Sequence, residues 1–92
     1  MPTPLTHEQT SIINDAFNKI TDLMIQLYSR WLEESKYEDI SEYQKVIERH
    51  VTDRIKVVGM SKRPFGFKFT IDDNDGVFGM FIKSNQFSWK RI

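Results

Sequence analysis

Partway along this 92-residue chain the spacing of apolar side chains changes from three-and-four to two, which restricts the fold to helices packed against a sheet. Before the change, Ile12, Ile13, Ala16, Phe17, Ile20, Leu23, Met24, Leu27, Trp31 and Leu32 recur at helical spacing with almost no interruption. Pro2 and Pro4 keep the opening residues extended, and Thr6-His7-Glu8-Gln9 has the form of a helix-capping segment, with Glu8 placed to favour the helix dipole. The first helix is therefore expected over residues 6–35. At about 29 residues and 1.5 Å per residue it spans roughly 43 Å. A compact domain of this length is only about 32 Å across, so one end of the helix is expected to overhang and to need a cover.

A second helix is expected over residues 40–58. Asp39-Ile40-Ser41-Glu42 and Ser41-Glu42-Tyr43-Gln44 are overlapping capping boxes, followed by the stripe Tyr43, Val46, Ile47, His50, Val51, Ile55 and Val58, with Gly59 as the stop. The β-branched cluster Ile55-Lys56-Val57-Val58 also reads as a strand, because a short apolar run has no decisive period; the continuing stripe favours helix. After Pro64 the period is two. Phe65, Phe67, Phe69 and Ile71 share one face, and Gly66, Lys68 and Thr70 the other. Turn signals at 72–76 and 84–85 then separate strands at 77–83 and 86–92. The fold class expected is α+β: two N-terminal helices on a three-stranded antiparallel meander over 64–92, all within one domain, 1–92.

The net charge of zero hides a divide. Residues 1–53 carry ten acidic and five basic side chains, and residues 54–92 carry eight basic and three acidic. A chain so polarised suits a partner that mixes polypeptide with phosphate. An apolar content of 39% with 13% aromatics is ample for a folded core. With no cysteine there is neither a disulfide framework nor a thiolate metal site, and the opening segment has no basic region followed by an apolar run. No stretch approaches a membrane span in length, so a cytoplasmic protein without membrane association is expected.

Catalytic and ligand motifs are lacking. Asp72-Asp73-Asn74-Asp75-Gly76 looks like half of a calcium loop, but placing Gly76 at the loop's sixth position puts Ile71 and Ile82 where ligands are required. It reads as a turn. His7 and His50 have no companions spaced to complete a metal site, and no serine elbow or phosphate loop is present. The expectation is a non-enzymatic protein with no cofactor, no metal and no small-molecule substrate. Glu33, Glu34, Glu38, Asp39 and Glu42 read as caps and a solvated linker between the helices.

The segment Lys62-Arg63-Pro64-Phe65-Gly66-Phe67-Lys68-Phe69 resembles the aromatic strand of RNA-recognition and cold-shock domains, with Arg63, Phe65, Gly66 and Phe67 in matching places. Pro64, Lys68 and Thr70 depart from that pattern. Its phenylalanines are better placed to meet the first helix than to stack on bases. The basic residues form a separate expectation. Lys62, Arg63, Lys68, Lys83, Lys90 and Arg91 come from the strands and their ends, where a meander draws them into one partner- or nucleic-acid-binding patch with direct phosphate contacts.

Met1-Pro2-Thr3-Pro4 leading into a long amphipathic helix, a second helix, a basic aromatic hairpin, the length and the lack of cysteine together resemble the small phage-encoded anti-CRISPR proteins that inhibit type I-F systems. The resemblance implies a stoichiometric inhibitor. It would bind a CRISPR-associated protein complex with its guide RNA in the host cytoplasm and keep target DNA from engaging. Two other classes fit the residues. One is a single-stranded RNA- or DNA-binding module that stacks bases on Phe or Trp89; the other is a homo-oligomer pairing its long helix through Phe17, Met24 and Trp31.

Overall fold

Thr6 and Gln9 start the first helix by capping each other. The Gln9 amide donates to the Thr6 hydroxyl at 3.0 Å, and the Thr6 amide donates to Gln9 Oε1 at 2.9 Å. The computed structural model describes residues 3–34 and 39–92, so the expected helix end at Ser35, and Lys36 and Glu38 of the acidic linker, lie outside the described residues. Helix α1 runs over His7–Glu34, 28 residues, and sets the long dimension of 39 Å. Ile13, Ala16, Ile20, Met24 and Leu27 are buried along it at three- and four-residue steps. At about 1.5–3 kcal/mol for each large apolar side chain taken out of water, that row anchors the helix.

Helix α2 is shorter than expected, Ser41–Glu48. Neither capping box closes as drawn; instead the Asp39 carboxylate accepts the Ser41 amide at 3.0 Å, which together with the Ser41 hydroxyl holds the Asp39 carboxyl below its ordinary range. Tyr43 and Ile47 are buried, and Tyr43 meets Trp31 edge-on at 6.1 Å, so α2 covers the end of α1 as its length required. The helix stops where the His50 amide bonds the Ile47 carbonyl at 2.9 Å and the His50 ring the Val46 carbonyl at 2.8 Å.

Ile55–Lys62 is strand β1, not the continuation of helix two. The expected three-stranded meander is thus a four-stranded antiparallel sheet, with β2 at Phe65–Ile71, β3 at Phe78–Lys83 and β4 at Gln86–Arg91, in the order β1-β2-β3-β4. The reason is backbone pairing. A helix over Ile55–Val58 would satisfy only itself, whereas a strand pairs Ile55 with Ile71 and Val57 with Phe69, supplying β2 with a partner on its outer side and burying both side chains. His50 and Val58 of the predicted stripe are exposed.

The registers place three rows on the helix side of the sheet: Lys62, Phe65, Ile82 and Phe87; Met60, Phe67, Met80 and Trp89; Val57, Phe69, Phe78 and Arg91. Phe67, Phe69, Phe78 and Met80 are inaccessible to solvent, and Phe17 of α1 stacks on Phe87 with 4.5 Å between centroids. Ser84 and Asn85 both have positive φ, 53° and 62°, matching the twist of the β3–β4 hairpin; the β1–β2 turn carries a cis Arg63-Pro64 peptide.

The loop 72–76 is fastened to the start of the chain. Asn74 Nδ2 donates to the Thr3 and Pro4 carbonyls, Asp75 Oδ1 accepts the Thr3 amide at 3.2 Å, and Gln9 Nε2 donates to the Asp72 carbonyl at 3.0 Å. Arg54 joins Glu8 at 3.0 Å to Asp72 at 3.6 Å. Among the described residues no three His, Asp or Glu side chains converge as metal ligands, and no helix is long and apolar enough to cross a membrane.

Candidate partner interface

Both helices pack on one side of the sheet, which leaves the other side open. Period-two alternation sends the residues between the core rows there: Lys56, Gly59 and Ser61 from β1, Gly66, Lys68 and Thr70 from β2, Gly79, Phe81 and Lys83 from β3, Gln86, Ser88 and Lys90 from β4, with Lys83 and Gln86 at the hairpin end. Gly79 pairs with Lys68 on one side and Lys90 on the other. The two lysines therefore stand two strand spacings apart, about 10 Å, on either side of a glycine over which the Phe81 ring and the end of Ile92 lie. Lys56, opposite Thr70, stands diagonally from Lys68 at about 7–8 Å.

All three lysines are exposed, and no Asp or Glu occurs in any of the four strands. The field of this face is consequently positive and uncompensated within the sheet. Phe81 forms its floor. Its ring lies over Gly79 and against Gly66, where a Cβ on either glycine would collide with it, and it is only 9% exposed. The glycines supply the bed that lets an outward-facing aromatic lie flat.

The six predicted site residues do not form one zone. Lys68 and Lys90 share the open face, joined by Lys56 of the strand expected as helix, and Lys83 has the same parity at the hairpin end of that face. Lys62, Arg63 and Lys83 gather at the tips of the β1–β2 and β3–β4 hairpins, where they line a cleft with Tyr28, Trp31 and Leu32. Arg91 points to the helix side. Its guanidinium donates to Asn74 Oδ1 at 3.1 Å, approaches Asp75 at 3.9 Å and lies 5.0 Å from the centre of the Phe78 ring. It is a bracket for the 72–76 loop rather than part of either cationic group.

Of the aromatics expected to stack on bases, Phe65, Phe67 and Phe69 are in the core, 2% exposed or less, and Trp89 is half-buried against it with Nε1 donating to Asn14 at 2.9 Å. Likewise Met24 is fully buried, while Phe17 and Trp31 pack on this chain's own Phe87 and Tyr43, so the stripe proposed for self-pairing meets the sheet and α2. Phe81 went unnoticed although a signal existed: in Phe78-Gly79-Met80-Phe81-Ile82 it has the parity of glycine, opposite the core residues.

Comparison of the chain with protein-family models, with curated proteins and with solved structures finds no match.

Proposed function

We propose that this protein is a non-enzymatic inhibitor that occupies an RNA-guided type I-F CRISPR surveillance complex and keeps target DNA from engaging it. The observation that carries the reading is the open sheet face, with Lys56, Lys68 and Lys90 exposed and no carboxylate in any strand. Such a face is suited to guide or target phosphates, while the exposed carboxylates Asp15 and Asp22 on α1 are turned away from them. Positioning by backbone phosphate is sequence-independent, as blocking a complex loaded with any guide requires. Binding of naked single strands by stacking is less well supported, since Phe81 is covered, Phe65, Phe67, Phe69 and Phe78 are buried, Phe87 is stacked on Phe17, and Trp89 is tied to Asn14.

The test is inhibition of target-DNA binding by purified type I-F surveillance complex. Wild-type protein is expected to block it at near-stoichiometric concentration, and a K56E/K68E/K90E variant with unchanged helicity to fail. Full inhibition by that variant would overturn the role of the face, and absence of any wild-type effect would overturn the assignment of the target.

A further inference from the structure

A second surface, at the hairpin tips, has a different chemistry. The last turns of α1 pack on the sheet through Tyr28 and Trp31, which both meet Phe65, but one edge of them stays open: Ile25 and Leu32 are 50% and 63% exposed. Between them and the hairpins run two lobes, of about 460 Å³ and 300 Å³, that share Tyr28, Leu32 and Ile82. The first is rimmed by Lys62, Arg63 and Lys83 and the second ends on Phe87. Among the described residues no carboxylate lines either lobe. Lys62 is near enough to Asp39 to contribute, as the smallest cause, to the lowering of its pKa; Arg63 and Lys83 have no ion pair among the described residues.

We infer that this groove seats a segment of a partner protein, a helical stretch that presents two apolar side chains one turn apart beside carboxylates. The two lobes set the number of anchors, because side chains four residues apart on a helix are separated by about 5–6 Å and reach adjoining pockets. The rim sets their charge: three cations facing solvent around an apolar floor complement an acidic segment and repel a basic one. A phosphate backbone has nothing to bury against Leu32 and Ile25, whereas a buried aromatic and aliphatic centre with a charged rim is how polypeptide anchors are held. The inference goes beyond the sheet-face reading and does not depend on it.

The experiment is nuclear magnetic resonance titration of the full ¹⁵N-labelled chain with three probes. The first is a 12-residue helix-forming peptide carrying two leucines four apart and flanking glutamates; the second replaces its glutamates with lysines; the third is a 12-nucleotide single strand. The acidic peptide is expected to shift the amides of Ile25, Ser29, Leu32 and Asn85 and the Trp31 indole, and the lysine peptide is not. L32D, at an exposed position, and separately K62E/K83E are expected to weaken the acidic peptide by about tenfold. K68E/K90E is expected to leave it unchanged, which separates failure of this inference from failure of the sheet-face reading. Equal shifts from both peptides, shifts at these amides from the oligonucleotide alone, concentration-dependent shifts in the free protein that mark a second copy in the groove, or no shifts at all would each overturn it.

Discussion

Reversing Lys68 and Lys90 to glutamate tests the sheet face most directly, because the magnitude follows from the count of cations that reach phosphate. If Lys56, Lys68 and Lys90 each neutralise one phosphate of a single strand, the logarithm of affinity falls with a slope of about 2.1 against the logarithm of salt, 0.7 for each. From 50 to 200 mM salt, wild-type affinity for the nucleoprotein partner then drops about 20-fold, and that of K68E/K90E, with Lys56 alone, about threefold. At 0.1 M the two lost contacts cost about 25-fold, from 0.7 decades per phosphate relative to molar salt. Folding is not at stake. The two lysines stand about 10 Å apart on an exposed face, close to a Debye length at 0.1 M salt, so their reversal neither relieves nor creates a strong pair. Binding measured by interferometry at 50, 100 and 200 mM, with circular dichroism to confirm helicity, reads all three numbers. A wild-type slope near zero, or equal slopes for both proteins, refutes the reasoning.

Arg91→Ala removes the bracket between Phe78 and Asn74 and is expected to lower unfolding free energy in urea by about 1–2 kcal/mol while leaving partner affinity within twofold; a selective loss of affinity would return Arg91 to the interface. Gly79→Ala places a methyl group against the Phe81 ring and is expected to cost about 1–3 kcal/mol, most of it recovered in G79A/F81A relative to F81A alone. Gly66→Ala meets the Met80 carbonyl as well, so removal of the Phe81 ring should not rescue it. The Asp75 carboxyl is held below its ordinary value of 3.8 by the Thr3 amide, then by the Thr3 hydroxyl and, after its own backbone, by the charge of Arg91. A carboxyl so depressed in the folded state contributes stability that is complete above that ordinary value and disappears as pH falls through the lower folded one. Melting temperature should therefore decline below about pH 4, and the decline should be shallower in Asp75→Asn; identical acid limbs would show that the fastening of the loop to Thr3 does not form in solution.

How far each element could be read from the sequence depended on whether its determinants were local. Thr6 and Gln9 cap each other three residues apart, and Phe65, Phe67, Phe69 and Ile71 declare their shared face by parity alone, so α1's start and β2's buried side were legible. Ile55–Val58 was not. Four residues cannot separate a period of 3.6 from one of 2, and the choice was made by Ile71 and Phe69, more than ten positions away, whose backbones needed a partner. The candidate patch is divided between faces for a reason that was legible: Lys90 and Arg91 are adjacent in one strand and must face opposite ways, and Lys62 pairs with Phe65 and so belongs to the core side of the sheet. Lys56 was lost with the strand that carries it.

The two-layer arrangement turns a divide along the chain into a divide across the molecule. Helix α1 buries Ile13, Ile20 and Met24 toward the sheet, which sends Asp15 and Asp22, two positions on from Ile13 and Ile20, to the far surface. β2 buries Phe67 and Phe69 toward the helix, which sends Lys68 to the opposite one. One core thus orients both charges, and no pairing between them is possible through it. That is why the net charge of zero does not cancel locally: Asp72 is engaged with Arg54, and Asp75 with Thr3 and Arg91, at one end of the sheet. On the proposed reading, such a molecule meets a polyanionic surface sheet first with its helices turned away, and the hairpin-tip groove at the border of the two layers would then face a neighbouring protein subunit.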